Sequence, residues 1–321
     1  MRYEKKDIPI NYISLEDRTF LITTERNNEL LQKSIERVGV LYPPYLYFDH
    51  NAQHYMIVCG LRRIRVCITA GWKQITAHII DQQSDARELL LLSLYDNLTH
   101  RMFDPIEKSR AALKLLNYYS SDTVISEYLP LMGLPPAEKA LAQLLSMARL
   151  EQEIQDAVVQ GRVCEAVAAR LAHLEEDDRK ALFGLLSRIH LSASKQEEIV
   201  SHCMDISLRD GTGCRELVQD REIQKIIAED KLPLSQKGDR IRALLRKRRF
   251  PRLSRHEENF LQQRKKMHLP AGVQLLPPPF FEGGRFRLEI EFNHAGDLQK
   301  KAEAILSLAN NRLLQDLVEN R

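Results

Sequence analysis

Gly60-Leu61-Arg62-Arg63 stands where an apolar run, Tyr55-Met56-Ile57-Val58-Cys59, stops and an amphipathic run over 64–70 begins. A strand that closes on Gly and opens into a helix suits phosphate. Gly lets the backbone turn tightly and come close to a ligand. The helix N-terminus offers unpaired N–H groups and the positive end of its dipole. Two guanidinium forks match phosphate oxygens. Further along come Asp96-Asn97-Leu98-Thr99-His100-Arg101. Asp96 and Asn97 carry hard oxygens of the kind Mg²⁺ accepts, and Arg101 follows Asn97 by one helical turn, on the same face. Taken alone, a Gly before two Arg also fits a surface turn with solvated arginines.

The elements that must hold these residues are short and mixed. Residues 8–10, 45–48, 55–59 and 75–80 read as strands, with Asp49-His50-Asn51 as the turn of a hairpin. Residues 25–38, 62–70 and 85–99 read as helices, the last with Leu89, Leu92 and Leu98 on one side. Asp96 and Asn97 then fall near a helix C-terminus, where the dipole tolerates a cation. His100 reads as a solvated helix-end residue, and Tyr42 and Trp72 as rim or core aromatics able to stack on a base.

From 104 to 227 the pattern is helical. Pro105 suits a first turn, and Ala111, Leu115 and Tyr118 recur at helical spacing. Asp122 is placed to cap a short helix to 131. Met132-Gly133-Leu134-Pro135 is a tight turn, and a second helix runs from Pro136 to about residue 150. That is the outline of a helix-turn-helix. Its second helix offers Lys139, Gln143 and Ser146 to DNA, and no Arg up to Ser146. The same outline serves all-α proteins that touch no DNA.

Residues 228–252 form a basic segment broken by Pro233 and Pro251, and 259–268 reads as helix. Between 237 and 266 there are twelve Lys/Arg against three Asp/Glu. Such a block is either a solvated helix or a nucleic-acid contact, with Arg246, Lys247, Arg248 and Arg249 its densest part. At the C-terminal end, 286–292 alternates as a strand with one buried face. Leu298, Ala302, Ile305, Ala309 and Leu313 form a helical stripe. A unit this small must dock on the rest of the chain or on a copy of itself.

At 321 residues the chain has room for two or three cores. A net charge of +3 makes the distribution of charge matter more than its sum. Five cysteines with no Cys-x-x-Cys pair argue against structural zinc and a disulfide framework, and for reduced thiols in a cytosol. The first residues have no apolar signal core, and no stretch is long enough to span a bilayer.

The order of these motifs resembles the ParB family (ParB, Spo0J and Noc) of chromosome and plasmid partition proteins. Asp17-Arg18 is similar to a Pro-Arg element, Leu30 to Val40 to a helix ending in Ser-Ile-x-x-x-Gly, and Leu41-Tyr42-Pro43-Pro44 to Leu-Gln-Pro-Pro. Gly60 to Arg63 resembles Gly-Glu-Arg-Arg, and Asp96 to Arg101 resembles Glu-Asn-x-x-Arg. The likeness runs to about residue 175.

It implies an α+β ParB/sulfiredoxin-like nucleotide-binding domain over 1–102 and an all-α helix-turn-helix domain over 103–227. A basic linker over 228–268 and a small strand–helix unit over 269–321, dimerising as in the family, complete it. It further implies CTP with Mg²⁺, the phosphates held by Gly60, Arg62, Arg63, Asn97 and Arg101, with Arg18 closing the pocket. Mg²⁺ would sit on Asp96 and Asn97, and the base near 40–44. DNA, a second copy and a ParA-like ATPase follow as partners, at the nucleoid in the cytoplasm and not at a membrane. Two departures stand out. Leu61 replaces the family Glu and puts CTP hydrolysis in doubt, and Asp96 is one methylene shorter than the Glu it replaces. Two other functions fit the same scaffold: a small-molecule kinase or sulfinic-acid-reducing enzyme, and a transcription regulator that has lost its nucleotide.

Overall fold

In the computed structural model, the structure describes residues 1–24, 28–309 and 313–315. By packing the chain divides into two units. The first comprises 1–200 with 214–219, and the second 201–213 with 220–321. The break expected at 102/103 falls inside the first unit.

The first unit begins with a four-stranded sheet. Its strands are β1 (Tyr3–Pro9), β2 (Tyr45–Asp49), β3 (His54–Cys59) and β4 (Gln74–Ile80), in the order β1-β4-β2-β3. β1 pairs antiparallel with β4, β2 antiparallel with β3, and β2 parallel with β4. The hairpin turn forms where Asp49 invites it, its carboxylate accepting from Asn51 N at 2.8 Å and Ala52 N at 3.2 Å. Strand β1 starts five residues before the expected 8–10, because only Ile8 of its seven residues is buried and the apolar signal is correspondingly weak.

Helices α1 (Glu29–Val38) and α2 (Leu61–Thr69) pack against each other. With the sheet they bury Ile35, Leu46, Ile57, Ile64, Cys67 and Ile75. The expected start of the first helix, at 25–27, lies outside the described residues. α3 (Ala86–His100) is capped by Asp85, whose carboxylate accepts from Glu88 N at 2.8 Å. It packs on β3 and on the next helix and buries Leu89, Leu90, Ser93 and Leu94. Leu92 and Leu98, expected on its buried side, are half-buried. A helix covered on two sides is apolar over more than one stripe, so a single-face reading misplaces it.

α4 (Pro105–Leu115) opens with a capping box of Asp104 and Glu107 and Pro at its start. Ala111 and Leu115 are fully buried, but Tyr118 is past the helix end and 38% exposed. Next, α5 (Ser121–Thr123) runs through a π-helical turn (Val124–Tyr128) into α6 (Leu129–Leu131). Ser120, not Asp122, caps it, accepting from Thr123 N. After the turn at Gly133 (φ +73°), α7 (Glu138–Ala148) begins two residues later than Pro136, because Ala137 is extended. It packs on α4 and buries Leu141, Leu144 and Met147. Helices α8 (Gln152–Val159), α9 (Glu165–Leu171) and α10 (Glu176–Ser187) follow, and then α11 (Ala193–Asp210) and α12 (Cys214–Val218).

The second unit takes up α13 (Arg221–Ile227), α14 (Leu234–Arg249) and α15 (Pro251–Lys266). Pro233 and Pro251 stand at the starts of the last two, where a missing N–H costs nothing. A two-stranded antiparallel sheet, β5 (Val273–Leu276) with β6 (Arg287–Ile290), and α16 (Ala295–Ala309) follow. Phe260, Met267 and Leu275 form its small core, with Phe281, Phe286 and Leu313 against it. The alternating strand does not bury the face expected of it: Leu288 is 42% and Phe292 52% exposed. On α16, Leu298 and Ile305 are half-buried and Ala302 exposed; the side chain of Ala309 lies outside the described residues.

Candidate functional site

Gly60 ends β3 and caps α2 in a left-handed conformation, φ +98°. A Cβ there would lie 2.7 Å from Pro44 Cβ and 3.1 Å from an Arg63 nitrogen. The turn therefore needs Gly for its backbone angle and for its neighbours.

Around this turn lies a cavity of about 210 Å³, lined by Gly60, Leu61, Arg62, Arg63, Asp96 and Asn97, and also by Thr23, Leu31, Tyr42, His100 and Arg101. Five of the six residues expected to hold a nucleotide therefore share one hollow, as does Asp96. Arg62 Nε donates to Asn28 Oδ1 at 2.7 Å, tying α2 to the start of α1. Arg63 donates to the Tyr42 carbonyl and stands 3.5 Å from Asp96 Oδ2. Three guanidiniums against one carboxylate leave the cavity net positive.

The site corrects two expected roles. Arg18 does not line this hollow; it lines a second one, against α4 and α8. Asn97 has no oxygen to spare for a metal ion. Its Oδ1 accepts from Thr23 Oγ1 at 3.2 Å and from Arg101 at 3.1 Å, and its amide donates to Ser93 O at 2.8 Å. Among the described residues no group of three or more His, Cys, Asp or Glu is gathered for a metal.

Arg101 is itself anchored by Glu107, which is fully buried. Glu107 also accepts from Thr24 N and Asp104 N, both at 3.0 Å. Thr23 and Thr24 thus join the site from a segment with no charged signature; the Asp104-x-x-Glu107 spacing was the available clue. Cys59, next to Gly60, is 1% exposed. Burial, reinforced by Asp96 and opposed by Arg63, pushes its thiol far above the usual range, so it stays protonated. No disulfide joins any of the five cysteines. Tyr42 and His100 sit at the rim with ring centres 5.8 Å apart.

The expected DNA contacts sit elsewhere. On α7, Lys139 is exposed, Gln143 is half-buried, and Ser146 Oγ donates to the Gln143 carbonyl at 2.8 Å. In the basic block all four candidate cations are paired. Arg246 meets Glu257 at 2.8 Å, Lys247 meets Glu258 at 2.7 Å, and Arg248 meets Asp220 at 2.8 Å and Glu222 at 2.6 Å. Arg249 meets Asp205 at 2.5 Å. These four cations are neutralised within their own unit, Lys247 at an exposed position, whereas Arg252, Arg255, Lys265 and Lys266 on α15 are exposed.

Comparison with known proteins bears on the strand-Gly-helix half of this geometry. The family model of the ParB N-terminal domain matches residues 4–98, from β1 to near the end of α3. This segment is similar to ParB N-terminal domains. Relatives of the chain extend past it. A nucleoid occlusion protein of Listeria monocytogenes is 25% identical over 177 residues, 55% of this chain and 59% of that one. A probable plasmid-partitioning protein ParB of Thermus thermophilus is 27% identical over 239 residues, 70% and 71% of the two chains. The Spo0J chromosome-partitioning protein of the same species is 29% identical over 161 residues, 50% and 56%. The chain spans about three fifths of the length of the nucleoid occlusion proteins it matches. Among solved structures, truncated Caulobacter crescentus ParB complexed with CTP-gamma-S is 22% identical, with 57% of this chain and 98% of that chain covered at a TM-score of 0.27. A Pnob8-like ParB-N domain is 15% identical, with 77% and 98% covered at a TM-score of 0.38. Among the described residues no helix is long and apolar enough to cross a membrane.

Proposed function

We propose that the chain is a DNA-binding partition or nucleoid-organising protein whose ParB N-terminal domain binds CTP. The observation that carries this reading is the convergence of Gly60, Arg62, Arg63 and Arg101 on one positive cavity at the N-terminus of α2. Bound triphosphate would take the Gly60 turn and the arginines, competing with Asp96 for Arg63. The hollow is smaller than the ~300 Å³ at which pockets begin to enclose whole ligands. The base would therefore extend along 40–44, past the exposed Tyr42.

Mg²⁺ fits this donor set through Asp96 alone. Mg²⁺ keeps waters and uses one or two carboxylates plus substrate phosphates, and Asp96 is the carboxylate that lines the cavity. When bound it would neutralise phosphate charge. Leu61, at the position of the family Glu, is 3% exposed and packed in the core. It orients no water, so nucleotide would be turned over slowly. The protonated Cys59 supports a binding domain over a thiol-based reductase.

Bound nucleotide would favour a closed pair of N-terminal domains on DNA, a shift in population toward the state that the phosphates order. α7, led by Lys139, would read duplex DNA, and the exposed cations of α15 would add backbone attraction that weakens with salt. A second copy through the C-terminal unit, a ParA-like ATPase and a nucleoid location complete the proposal. Calorimetry with the four ribonucleoside triphosphates and Mg²⁺, with and without duplex DNA, tests it. CTP should bind, and Arg63→Ala should weaken it by about tenfold or more, the worth of a charge-assisted hydrogen bond to phosphate. A folded Arg63→Ala variant with unchanged CTP affinity would overturn the assignment, and DNA binding indifferent to every nucleotide would select a regulator that kept only the scaffold.

A further inference from the structure

The first unit has a second and roomier cavity. It measures about 660 Å³ and lies between the 18–23 segment, α4 and α8. Arg18, Arg110 and Lys114 line it, with Asp156 as the single lining carboxylate and Leu21 and Val159 on its apolar side. Arg110 and Lys114 stand one turn apart on α4, both half-buried.

Their partners are all neutral. Arg110 donates to the Thr23 carbonyl at 3.4 Å, to Gln155 Oε1 at 3.0 Å and to Gln152 Oε1 at 3.4 Å. Lys114 Nζ donates to the carbonyls of Arg18 at 2.6 Å and Thr19 at 2.8 Å. Among the described residues neither cation forms an ion pair. Burial holds both below their usual pKa. Asp104, Asp156 and Glu107 favour the charge on Arg110 and Arg18 opposes it; Asp17 favours that on Lys114 and Arg110 opposes it. Desolvation outweighs the help of every carboxylate nearby. A half-buried charge whose hydrogen-bond partners are all neutral carries a desolvation cost, and an anion from solution would offset it.

We propose that this cavity is a second anion site, taking a phosphorylated small molecule with at least two negative charges. The cations bind its phosphate, and the wall of Leu21 and Val159 takes its apolar part. The volume is of the size that encloses small ligands. The site is separate from the Gly60 cavity, but Thr23 stands in the wall of both. Its carbonyl meets Arg110, and its hydroxyl meets Asn97 and Arg101. Occupancy of one site therefore bears on the other, and linkage makes that influence mutual.

Inorganic pyrophosphate, titrated calorimetrically into the full chain at low chloride, is the probe. Arg63→Ala disables the Gly60 cavity and should leave pyrophosphate binding in place. Lys114→Gln in that background should weaken it about tenfold, the loss expected for one charge-assisted bond. Thermal unfolding monitors the fold. If Lys114→Gln does not fold, Arg18→Gln, at an exposed position, replaces it and should weaken binding measurably. Binding abolished by Arg63→Ala, binding indifferent to the Lys114 and Arg18 changes, or no binding to the folded chain would each overturn the site. Failure of CTP to bind would leave it standing.

Discussion

A Cβ at position 60 would press on Pro44 from 2.7 Å, in a backbone conformation that L-residues avoid. Gly60→Ala should therefore cost about 2 kcal/mol or more, the left-handed penalty plus displacement of Pro44. A urea titration reads it as a lower midpoint with unchanged slope. A midpoint equal to the parent would mean that the turn relaxes freely. The chemistry at this scale was legible wherever neighbours in sequence are neighbours in space: Gly60, Arg62 and Arg63 at the start of α2, Asp96 and Arg101 at the end of α3. It failed where a side chain's partner comes from elsewhere in the chain. Nothing local to Arg18 distinguishes the hollow it lines from the one around Gly60. Nothing local to Asn97 says that Thr23, 74 residues earlier, will take its oxygen.

Among the elements, α4 ties the sheet-bearing part of the first unit to its helices. Its capping box is ordinary, but the Glu of that box is fully buried and serves the Thr24 amide and the Arg101 guanidinium as well as the helix start. Removing one partner of a buried ion pair strands the other, at about 3–5 kcal/mol. Glu107→Ala should lose stability on that scale, measured by chemical denaturation, and weaken nucleotide binding because Arg101 loses its anchor. Loss below about 1 kcal/mol would reduce the contact to a surface pair. Helices with caps and prolines were readable to within a few residues, since those signals are local. The edges of the fold were not. β1 carries one buried residue, and β5 (Val273–Leu276) lies in a stretch where Pro and Gly dominate the signal. Periodicity also misled at α3, which has neighbours on two sides.

For the whole molecule, the twelve cations between 237 and 266 read from sequence either as a solvated helix or as a nucleic-acid contact. Counting charges along a sequence cannot register Asp205, Asp220 and Glu222, which lie well before the block and neutralise part of it. The pairing has a pH signature. A hydrogen bond from Arg248 holds Asp220 below its ordinary 3.8, and one from Arg246 holds Glu257 below its ordinary 4.5. A carboxylate whose folded pKa is depressed adds stability that is complete above its unfolded pKa and disappears as pH falls through the folded one. Glu257→Gln should therefore lower the thermal midpoint at pH 7 and converge on the parent as acid protonates Glu257. A gap that persists at pH 2 would assign the loss to packing instead.

The buried Glu107 also decides where the chain can be cut. Ending an expressed fragment at residue 102, as the ParB N-terminal domain alone would invite, removes the carboxylate that receives the Thr24 amide and the anchor that fixes Arg101. Such a fragment would retain the glycine turn yet present a loosened arginine. A fragment carried through α4, to residue 116 or beyond, keeps the acid with the base it serves.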